Sequence, residues 1–323
     1  MLVPILLLIV GFALLIKGGD WFVDGASGIA RRFHLPEILI GATVVSIGTT
    51  LPEVMVSAGA ALGNNGDVAY GNAIGSIICN TSLIAALTIA IKPGKADRKS
   101  MVIPVVFFVI ASAVYCYSAY ALGEFTRYIG FILLGLFLVY MTLTVLSMKK
   151  SSGADSEEEA TEEVASGNII KDIILLVVGA AIIAVGADLL VDNATIIAES
   201  CGVSKKVIGL TIVAVGTSLP ELVTAITSLI KGHGALSLGN IIGANLFNLV
   251  LVSGVSVAIN PFKLPMSGTI AGINSSLIVD LPVMLAVMGI LIVPTMIRQK
   301  LSRLQGISLL TIYAAFLAFS FII

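Results

Sequence analysis

The sequence Gly48-Thr49-Thr50-Leu51-Pro52-Glu53 occurs again, with one substitution, as Gly216-Thr217-Ser218-Leu219-Pro220-Glu221. Each copy of this motif lies inside an otherwise apolar stretch of the chain. A carboxylate in the hydrocarbon of a membrane costs several kcal/mol unless something compensates it, so an intramembrane glutamate usually marks a functional site. Two such glutamates, each beside a helix-breaking proline and a pair of hydroxyl groups, predict the two halves of one cation site.

The composition is that of a membrane protein. Hydrophobic residues make up 58% of the chain, charged residues make up only 11%, and the mean hydropathy is +1.08, whereas soluble domains carry about 25% charged residues. The net charge of −1 and the lack of a basic patch give nucleic acid no binding surface. The cysteines Cys79, Cys116 and Cys201 have neither metal-ligand nor disulfide spacing. The apolar segment 1–16 lacks a basic start and a cleavage site, which indicates a first span rather than a signal peptide.

Apolar segments predict an all-α membrane protein with ten transmembrane helices, because a spanning helix needs about 20 mostly apolar residues. The second, third, seventh and eighth spans are rich in Gly, Thr, Ser and Asn, which is typical of interior helices rather than lipid-facing ones. The ten predicted spans cover about 2–20, 38–62, 67–91, 101–120, 127–147, 170–192, 205–230, 235–259, 275–297 and 304–322.

The distribution of Lys and Arg predicts the orientation in the membrane. With the N-terminus outside, fourteen of the 18 basic residues fall on the inner side, and only Arg127, Lys205, Lys206 and Lys263 fall on the outer side. We therefore expect both termini to face out, and the compact loops favour a prokaryotic plasma (inner) membrane. The acidic segment 149–169 is then a cytoplasmic linker, which its charge and lack of apolar residues indicate to be solvated and disordered.

An internal repeat relates the two halves of the chain. A shift of 168 residues aligns the two motifs without a gap, and residues 40–80 then show 15 identities in 41 positions. Chance similarity between apolar helices would match Leu and Val, whereas these matches include Thr, Pro, Glu and Asn. Further matched pairs are Asp20 and Asp188, Asp24 and Asp192, Gly71-Asn72 and Gly239-Asn240, Gly75 and Gly243, and Asn80 and Asn248.

The number of spans in the repeat decides how the two copies are related. Each copy holds five spans, and an odd number places the second copy upside down relative to the first. Inverted repeats with interrupted helices at corresponding positions are typical of transporters, whose substrate site lies near the midplane where the repeats meet. We therefore predict two inverted five-helix repeats, residues 1–148 and 170–323, with Glu53 and Glu221 approaching each other at the midplane.

Each motif presents several oxygen atoms on one helical turn. Pro52 removes a backbone N–H and so frees the carbonyl of Gly48. Thr49 and Thr50 precede Glu53 by four and three residues, so all three side chains share a face. The second motif supplies the corresponding residues Thr217, Ser218 and Glu221. Since no His or Cys joins them, a Zn²⁺ or Cu site is disfavoured, and hard oxygen ligands favour Ca²⁺ or Na⁺.

The third and eighth spans add further polar atoms. Ser76 and Asn80 are four residues apart and face one way, and their counterparts are Ala244 and Asn248. An alternative role for these polar residues is hydrogen bonding between helices, and an alternative for the motif hydroxyls is bonding back to their own helix. The interhelical role is favoured for Asn72 and Asn240, and a helix-end role at the membrane interface for Asp20, Asp24, Asp188 and Asp192.

These motifs resemble those of the sodium/calcium exchanger family of the cation/Ca²⁺ antiporter superfamily, particularly its compact prokaryotic members. The resemblance covers essentially the whole chain and is most specific in two α-repeats, residues about 38–91 and 205–259. Each α-repeat has Gly-Thr-(Ser/Thr)-Leu-Pro-Glu followed by Gly-Asn-x-Ile-Gly-(Ser/Ala). The family's fold has ten transmembrane helices in two inverted halves, which agrees with the fold inferred above.

The resemblance also implies a ligand set and a mechanism. Members of the family alternate access by sliding spans one and six across the remaining helices. Related exchangers often have Ser where this chain has Ala244, and some have Asp where it has Asn248, which leaves the number of Na⁺ sites and the stoichiometry open. The implied ion ligands are Thr49, Thr50, Glu53, Ser76, Asn80, Thr217, Ser218, Glu221 and Asn248, with the backbone carbonyls of Ser46 and Ala214.

The predicted function is a secondary active antiporter that exchanges Na⁺ for Ca²⁺, and the alternative is a Ca²⁺/H⁺ or other divalent-cation antiporter. A channel is disfavoured because the polar residues form one cluster rather than a continuous path. An intramembrane enzyme is disfavoured because no span holds paired aspartates, a serine with a basic partner or a metal motif. We expect Na⁺ and Ca²⁺ as substrates in contact with membrane lipid, and no cofactor, nucleic acid or obligate protein partner.

Overall fold

The computed structural model describes residues 2–154, 169–201, 214–266, 269–270 and 272–322. Within these residues nine helices are long and apolar enough to cross a membrane, and a tenth apolar helix, α7, is shorter. The prediction of an all-α, multi-pass membrane protein is thus confirmed.

Four two-residue strands form two antiparallel pairs, β1 (Glu124–Phe125) with β2 (Phe262–Lys263) and β3 (Thr269–Ile270) with β4 (Ile273–Asn274). The helices are α1 (Leu2–Arg32), α2 (Glu37–Leu62), α3 (Gly66–Ile91), α4 (Arg98–Leu122), α5 (Arg127–Ala154), α6 (Ile169–Ser200), α7 (Leu219–Ile230), α8 (Gly234–Ile259), α9 (Ser276–Arg298) and α10 (Arg303–Ile322).

Helices α1 and α6 are longer than the predicted spans 2–20 and 170–192, which were wrong at their C-terminal ends. The first helix continues through Gly18-Gly19 to Arg32, and the sixth continues to Ser200. The predicted end of α1 was wrong because Gly18 does not end the helix. It allows close packing of α1 against α6. The predicted helix-end positions are therefore wrong, because Asp20, Asp24, Asp188 and Asp192 all lie inside helices.

Two predicted segments lie partly outside the described residues. The acidic linker was predicted at 149–169, but α5 extends to Ala154, and residues 155–168 lie outside the described part. The seventh span was predicted at 205–230. Its described part is a helical turn, Ala214–Gly216, followed by α7, and residues 202–213 lie outside.

Helices α1 and α6 pack against each other in opposite directions through glycines. A Cβ on Gly11 would lie 2.9 Å from the carbonyl oxygen of Gly186, and a Cβ on Gly18 would lie 3.0 Å from that of Gly179. Gly179 and Gly186 are the repeat counterparts of Gly11 and Gly18. The two-fold axis that relates the repeats therefore makes the Gly11–Gly186 and Gly18–Gly179 contacts equivalent. Residues without side chains allow this close approach of two backbones. The antiparallel pair is the arrangement that an inverted repeat requires.

Helices α2, α3 and α8 form the interior of the protein. In their most apolar windows 61%, 72% and 83% of the residues are buried, against 22% in each of α1, α6 and α10. Helix α8 approaches α2 closely at Gly239, which faces the backbone of Ile38, and at Gly243, which faces Ala42 and Ser46. The prediction of interior helices is confirmed for these three spans. Their polar side chains are consequently held away from lipid.

The loops at one end of the molecule are tied together. Leu301 donates its backbone N–H to the Gly94 carbonyl at 2.9 Å, and the Lys231 ammonium pairs with the Asp24 carboxylate at 2.8 Å. Lys231 also pairs with Asp20 at 3.3 Å. We call this the basic end, and it comprises the loops 33–36, 92–97, 231–233 and 299–302.

The glycine contact between α1 and α6 makes a stability prediction. The variant Gly179→Val adds a side chain whose Cβ would lie 2.5 Å from the Phe22 nitrogen, and overpacking of this kind costs about 1–3 kcal/mol. We expect a lower melting temperature in detergent, measured by size-exclusion chromatography after heating. The matched control is Gly135→Val in α5, where a Cβ meets no described atom within 4 Å. Equal melting temperatures for the two variants would contradict the packing role.

Candidate functional site

The two motif copies have different backbone structures. In the first half, α2 stays helical through Pro52 and contains a π-helical segment, Gly41–Val45, ahead of the motif. In the second half the helix is interrupted at 217–218, and α7 begins just after the break with Pro220 and Glu221 in its first turn. A first turn tolerates proline because its missing N–H has no helical acceptor there, whereas inside α2 the ring leaves a carbonyl without its usual donor. Both copies therefore expose backbone oxygen at the motif, by different means.

Helices α3 and α8 each change from α-helical to π-helical winding at an asparagine. The π-helical segments are Asn80–Ala85 and Asn248–Val252, and their first residues are the predicted ligands that the repeat aligns. Such segments are rare and are frequent at functional sites. The Ser253 hydroxyl donates to the Asn248 carbonyl at 2.9 Å and so satisfies a carbonyl in the wider turn. Sequence periodicity did not predict either segment.

Glu53 and Glu221 face each other in the interior. Both side chains are fully buried, and the Glu53 carboxyl lies within electrostatic range of Glu221. The Glu221 carboxyl lies beside the hydroxyls of Thr49 and Thr50. The structure thus brings acidic groups from both halves together with the two hydroxyls of the first motif.

Many oxygen atoms around this pair have no hydrogen-bond partner among the described residues. Both carboxylate oxygens of Glu53 and of Glu221 are buried and unpaired, and the described ion pairs include neither residue. A buried charge is costly unless an opposite charge or several hydrogen bonds compensate it. A cation bound between the two carboxylates would supply that compensation. The other unpaired atoms of the predicted set belong to Thr50, Asn80, Ser218 and the Oδ1 of Asn248.

Each motif helix packs against the π-helical segment of the other repeat. Helix α2 contacts the segment that starts at Asn248, and α7 contacts the segment that starts at Asn80. Ser76, one turn before Asn80, is 4% exposed, and Thr217 is partly buried beside the helix break. Ala214 starts the helical turn that precedes the break. Four helices therefore contribute predicted residues to one buried region.

Asparagines in α3 and α8 connect the helices around the site. The Oδ1 of Asn240 lies 3.2 Å from the Thr49 hydroxyl and 3.3 Å from the Ser46 hydroxyl, both of which donate across the two halves. The Nδ2 of Asn72 donates to the Glu53 carbonyl at 3.2 Å. The interhelical role favoured for these asparagines is confirmed. Asn240 has an additional effect that was not predicted, because it orients a motif hydroxyl.

Cys79 is a neighbour of the site that sequence analysis did not select. Its thiol is buried, lies beside the Ser218 hydroxyl and is within electrostatic range of both glutamates. The Tyr313 hydroxyl lies 3.8 Å from its sulfur. Its position next to Asn80 in the sequence could have indicated that Cys79 lies near the site. Adjacent residues do not share a face of a regular α-helix, however, so this position was not interpreted in that way. The thiol lies in the wall around the two glutamates.

Helices α1 and α6 cover the two motif turns. A cavity of about 10 Å³ lies between Pro52 and Pro220 on one side and Phe22 and Ile183 on the other. That volume holds about one water molecule. The covering helices therefore close tightly over the motifs.

Comparison with protein families decides the class of this chain. The family model described as sodium/calcium exchanger protein matches residues 3–146 and 171–322, which is most of the sequence. The chain belongs to the sodium/calcium exchanger family. The exchanger is accordingly a membrane transporter rather than an enzyme, and family membership supports exchange of Ca²⁺ for another cation.

Full-length relatives are similar to this exchanger. It is 32% identical to the sodium/calcium exchanger MaX1 of Methanosarcina acetivorans, with 99% of each chain covered. It is 36% identical to the putative antiporter CaxA of Alkalimonas amylolytica, with 100% of this chain and 99% of the relative covered. An uncharacterized membrane protein of Methanocaldococcus jannaschii is 33% identical over 94% of both chains.

Solved structures of the sodium-calcium exchanger NCX_Mj have the same fold as this exchanger. The structure soaked with Na⁺ and no Ca²⁺ gives a TM-score of 0.80 at 32% identity, covering 98% of both chains. A structure soaked with Na⁺ and Sr²⁺ gives a TM-score of 0.79 at the same identity and coverage. The predicted fold of ten helices in two inverted repeats is confirmed.

The unpaired carboxylates make a prediction about stability without ions. Either Glu53→Gln or Glu221→Gln removes a buried charge, and a buried unsatisfied group costs about 1–3 kcal/mol, more when it is charged. We expect each variant of the exchanger to melt at a higher temperature than wild type in a chelator without Na⁺, and to lose the rise in melting temperature that Ca²⁺ gives wild type.

The control for this prediction is Glu124→Gln in β1, an exposed glutamate far from the motifs in sequence. It should behave like wild type with and without Ca²⁺. A loss of stability in the absence of ions for both site variants would contradict an uncompensated pair of carboxylates.

Proposed function

We propose that this exchanger carries Ca²⁺ in one direction and Na⁺ in the other, through a site between its two motif turns. The observation that carries the proposal is the pair of buried, unpaired carboxylates of Glu53 and Glu221. The relative MaX1 is named a sodium/calcium exchanger, and NCX_Mj is described as a sodium-calcium exchanger. These names support Na⁺ as the counter-ion here.

The proposed ligands are all oxygen atoms. Ca²⁺ takes six to eight oxygen ligands, from carboxylates, carbonyls, amides and water. Two carboxylates match the charge of one Ca²⁺, and the surrounding hydroxyl and amide groups supply the remaining contacts. The proposed ligands are the side chains of Thr49, Thr50, Glu53, Ser76, Asn80, Thr217, Ser218, Glu221 and Asn248, with the carbonyls of Ser46 and Ala214.

Exchange follows from sharing one site. Glu53 and Glu221 belong to the same cluster, so Na⁺ bound there neutralises the carboxylates that Ca²⁺ needs. Each ion therefore displaces the other by competing for the same charge. An uncompensated pair of buried carboxylates is costly, so we propose that the empty site does not change the side it faces, which couples the two fluxes.

Alternating access is assigned to α1 and α6. These two helices cover the motif turns and pack backbone to backbone at Gly11, Gly18, Gly179 and Gly186. Arg32 in α1 also pairs with Asp172 in α6 at 3.4 Å, so the two helices are held to each other. We propose that the pair moves as a unit across the rest of the protein and uncovers the site on alternate sides.

The orientation and the division of the chain are part of the proposal. The excess of Lys and Arg in the loops of the basic end and in the adjoining helix termini supports a cytoplasmic location for that end and an outside location for both termini. Residues 1–148 and 170–323 are then the two repeats, joined by the acidic cytoplasmic linker. Compact loops support residence in a prokaryotic plasma membrane.

A second candidate is Ca²⁺/H⁺ exchange. The same two glutamates favour it, because each unpaired carboxylate can accept a proton when Ca²⁺ leaves. The absence of a hydroxyl at Ala244 also removes one oxygen that would suit Na⁺. The name of the relative CaxA, a putative antiporter, does not specify its ions.

Ca²⁺ uptake into proteoliposomes tests the coupling ion. Vesicles loaded with Na⁺ and diluted into Na⁺-free buffer with radiolabelled Ca²⁺, at clamped pH, should accumulate Ca²⁺ because outward Na⁺ flow drives it inward. Uptake should disappear when Na⁺ is present at equal concentration on both sides. Uptake driven by a pH gradient alone, in Na⁺-free vesicles, would instead identify proton coupling.

Two site variants and one control complete this experiment. Glu53→Gln and Glu221→Gln should each abolish the uptake, because a half-neutralised pair no longer matches the charge of Ca²⁺. The exposed control Glu124→Gln should transport like wild type. Normal transport by either site variant would refute the proposed site.

Ala244 gives a prediction about Na⁺ affinity. It is fully buried in α8, one turn before Asn248, at the position that Ser76 has in the first repeat. Ala244→Ser adds a hydroxyl oxygen there, so the Na⁺ concentration for half-maximal exchange should fall by about threefold or more, given about 1 kcal/mol per neutral contact. The control Ala61→Ser, buried at the far end of α2, should leave that concentration unchanged. An unchanged Na⁺ dependence for Ala244→Ser would mean that no Na⁺ binds at this position.

A further inference from the structure

A cavity at the basic end is separate from the cation site. It has a volume of about 260 Å³ and lies between the C-terminal end of α3 and the N-terminal end of α8. None of the described residues that line it is acidic. Its polar lining includes Thr88, Lys92, Lys95 and Ser237, and Ile89 and Leu238 form part of an apolar wall.

The N-terminus of α8 opens onto this cavity without a side-chain cap. The first backbone N–H groups of a helix have no acceptor within the helix, and here they belong to residues 234–236. The capping position is occupied by His233, whose side chain makes no capping hydrogen bond. Its imidazole is instead 2.6 Å from the Glu37 carboxylate. No described side chain therefore caps the first N–H groups of α8, and the Glu37 carboxylate is held by the His233 ring beside them.

The equivalent place in the other repeat is capped and filled. Asn65, the counterpart of His233, accepts a hydrogen bond from the Val68 N–H at 3.3 Å and so caps α3. Asn260, the counterpart of Lys92, donates to the Ala61 carbonyl at 3.2 Å. The Phe262 side chain packs directly against Gly66, the first residue of α3. The open, basic cavity is thus a departure from the repeat symmetry at one end only.

A serine in the cavity wall adds a further donor. Ser237 is 4% exposed and lines the cavity, and its hydroxyl has no hydrogen bond within the described residues. By contrast the Thr88 hydroxyl donates to the Ala85 carbonyl at 2.8 Å. An unpaired hydroxyl, uncapped N–H groups and two ammonium groups are all hydrogen-bond donors. Together they suit an acceptor-rich anion.

We propose that this cavity binds a phosphate group, carried either by the headgroup of an anionic phospholipid or by free phosphate. The phosphate would accept hydrogen bonds from the first N–H groups of α8 and from Ser237, and the ammonium groups of Lys92 and Lys95 would neutralise it. The apolar wall lies next to these donors, which suits the glycerol and first acyl carbons of a lipid. Phosphate at a helix N-terminus is a general mode of anion binding.

Binding there would connect the two repeats. Lys92 ends α3 in the first half, and Ser237 lies in the first turns of α8 in the second half. A ligand held by both would fix the basic ends of two interior helices relative to each other. It would raise the stability of the folded exchanger by mass action, whichever ions are transported.

The test measures binding to the whole protein in detergent, at a fixed Na⁺ concentration and without added Ca²⁺, because phosphate would sequester Ca²⁺. One arm adds short-chain phosphatidylglycerol, and the other adds potassium phosphate against KCl of equal ionic strength. The readouts are the melting temperature and the bound adduct in native mass spectrometry. We expect a higher melting temperature and a one-to-one adduct in at least one arm. A response to the lipid alone identifies a headgroup, and a response to inorganic phosphate shows that the anion suffices.

Three variants decide whether the cavity is the site. The double variant Lys92→Gln/Lys95→Gln should bind at least about tenfold more weakly, since it loses two charge-assisted contacts. Ser237→Ala, which keeps the basic residues, should bind several-fold more weakly. The control Arg98→Gln/Lys99→Gln removes the same two positive charges at the same end from exposed residues that do not line the cavity, and it should bind like wild type. No adduct and no rise in melting temperature for wild type in either arm, or equal responses of wild type and the double variant, would overturn the proposal.

Discussion

Two carboxylates buried side by side without a counter-charge set the conditions for the rest of this protein. Glu53 and Glu221 are fully buried within electrostatic range of each other, and the proposed cation site requires the surrounding helices to keep lipid out and to leave oxygen atoms free. The unpaired oxygens of Thr50, Ser218 and Asn248 are consistent with that demand. A core fully satisfied by its own hydrogen bonds would have nothing left to offer an ion. We propose that the low internal pairing around these two carboxylates is a functional property.

Duplication gives a direct way to assemble such a site. One inherited half provides a glutamate turn and an asparagine helix, and inversion brings each glutamate helix against the asparagine segment of the other half. Divergence has since made the halves unequal. Helix α2 runs unbroken through its proline whereas the second motif is interrupted, and α3 has a capped start where α8 has none. The features that the two repeats share maintain the fold. The features that differ between the repeats make the two ends of the protein different.

Sequence alone predicted the span count and the inversion of the two repeats, because polar matches between apolar helices are specific and an odd number of spans requires inversion. The ion-ligand set stays a prediction. Three features lay beyond sequence-based prediction. The π-helical segments at Asn80 and Asn248 depend on tertiary contacts that no periodicity encodes. The extents of α1 and α6 were wrong because Gly18 was interpreted as a helix end, whereas it allows a close approach. Cys79 was missed because adjacent residues on a regular helix point apart.

The length of α1 and α6 has a consequence for how the exchanger sits in its bilayer. A helix of 31 residues is about 46 Å long at 1.5 Å per residue, and the hydrocarbon core is about 30 Å thick. The excess, divided between the two sides, exceeds one helical turn of about 5.4 Å. The pair has enough length to shift by a turn along the membrane normal and still span the hydrocarbon.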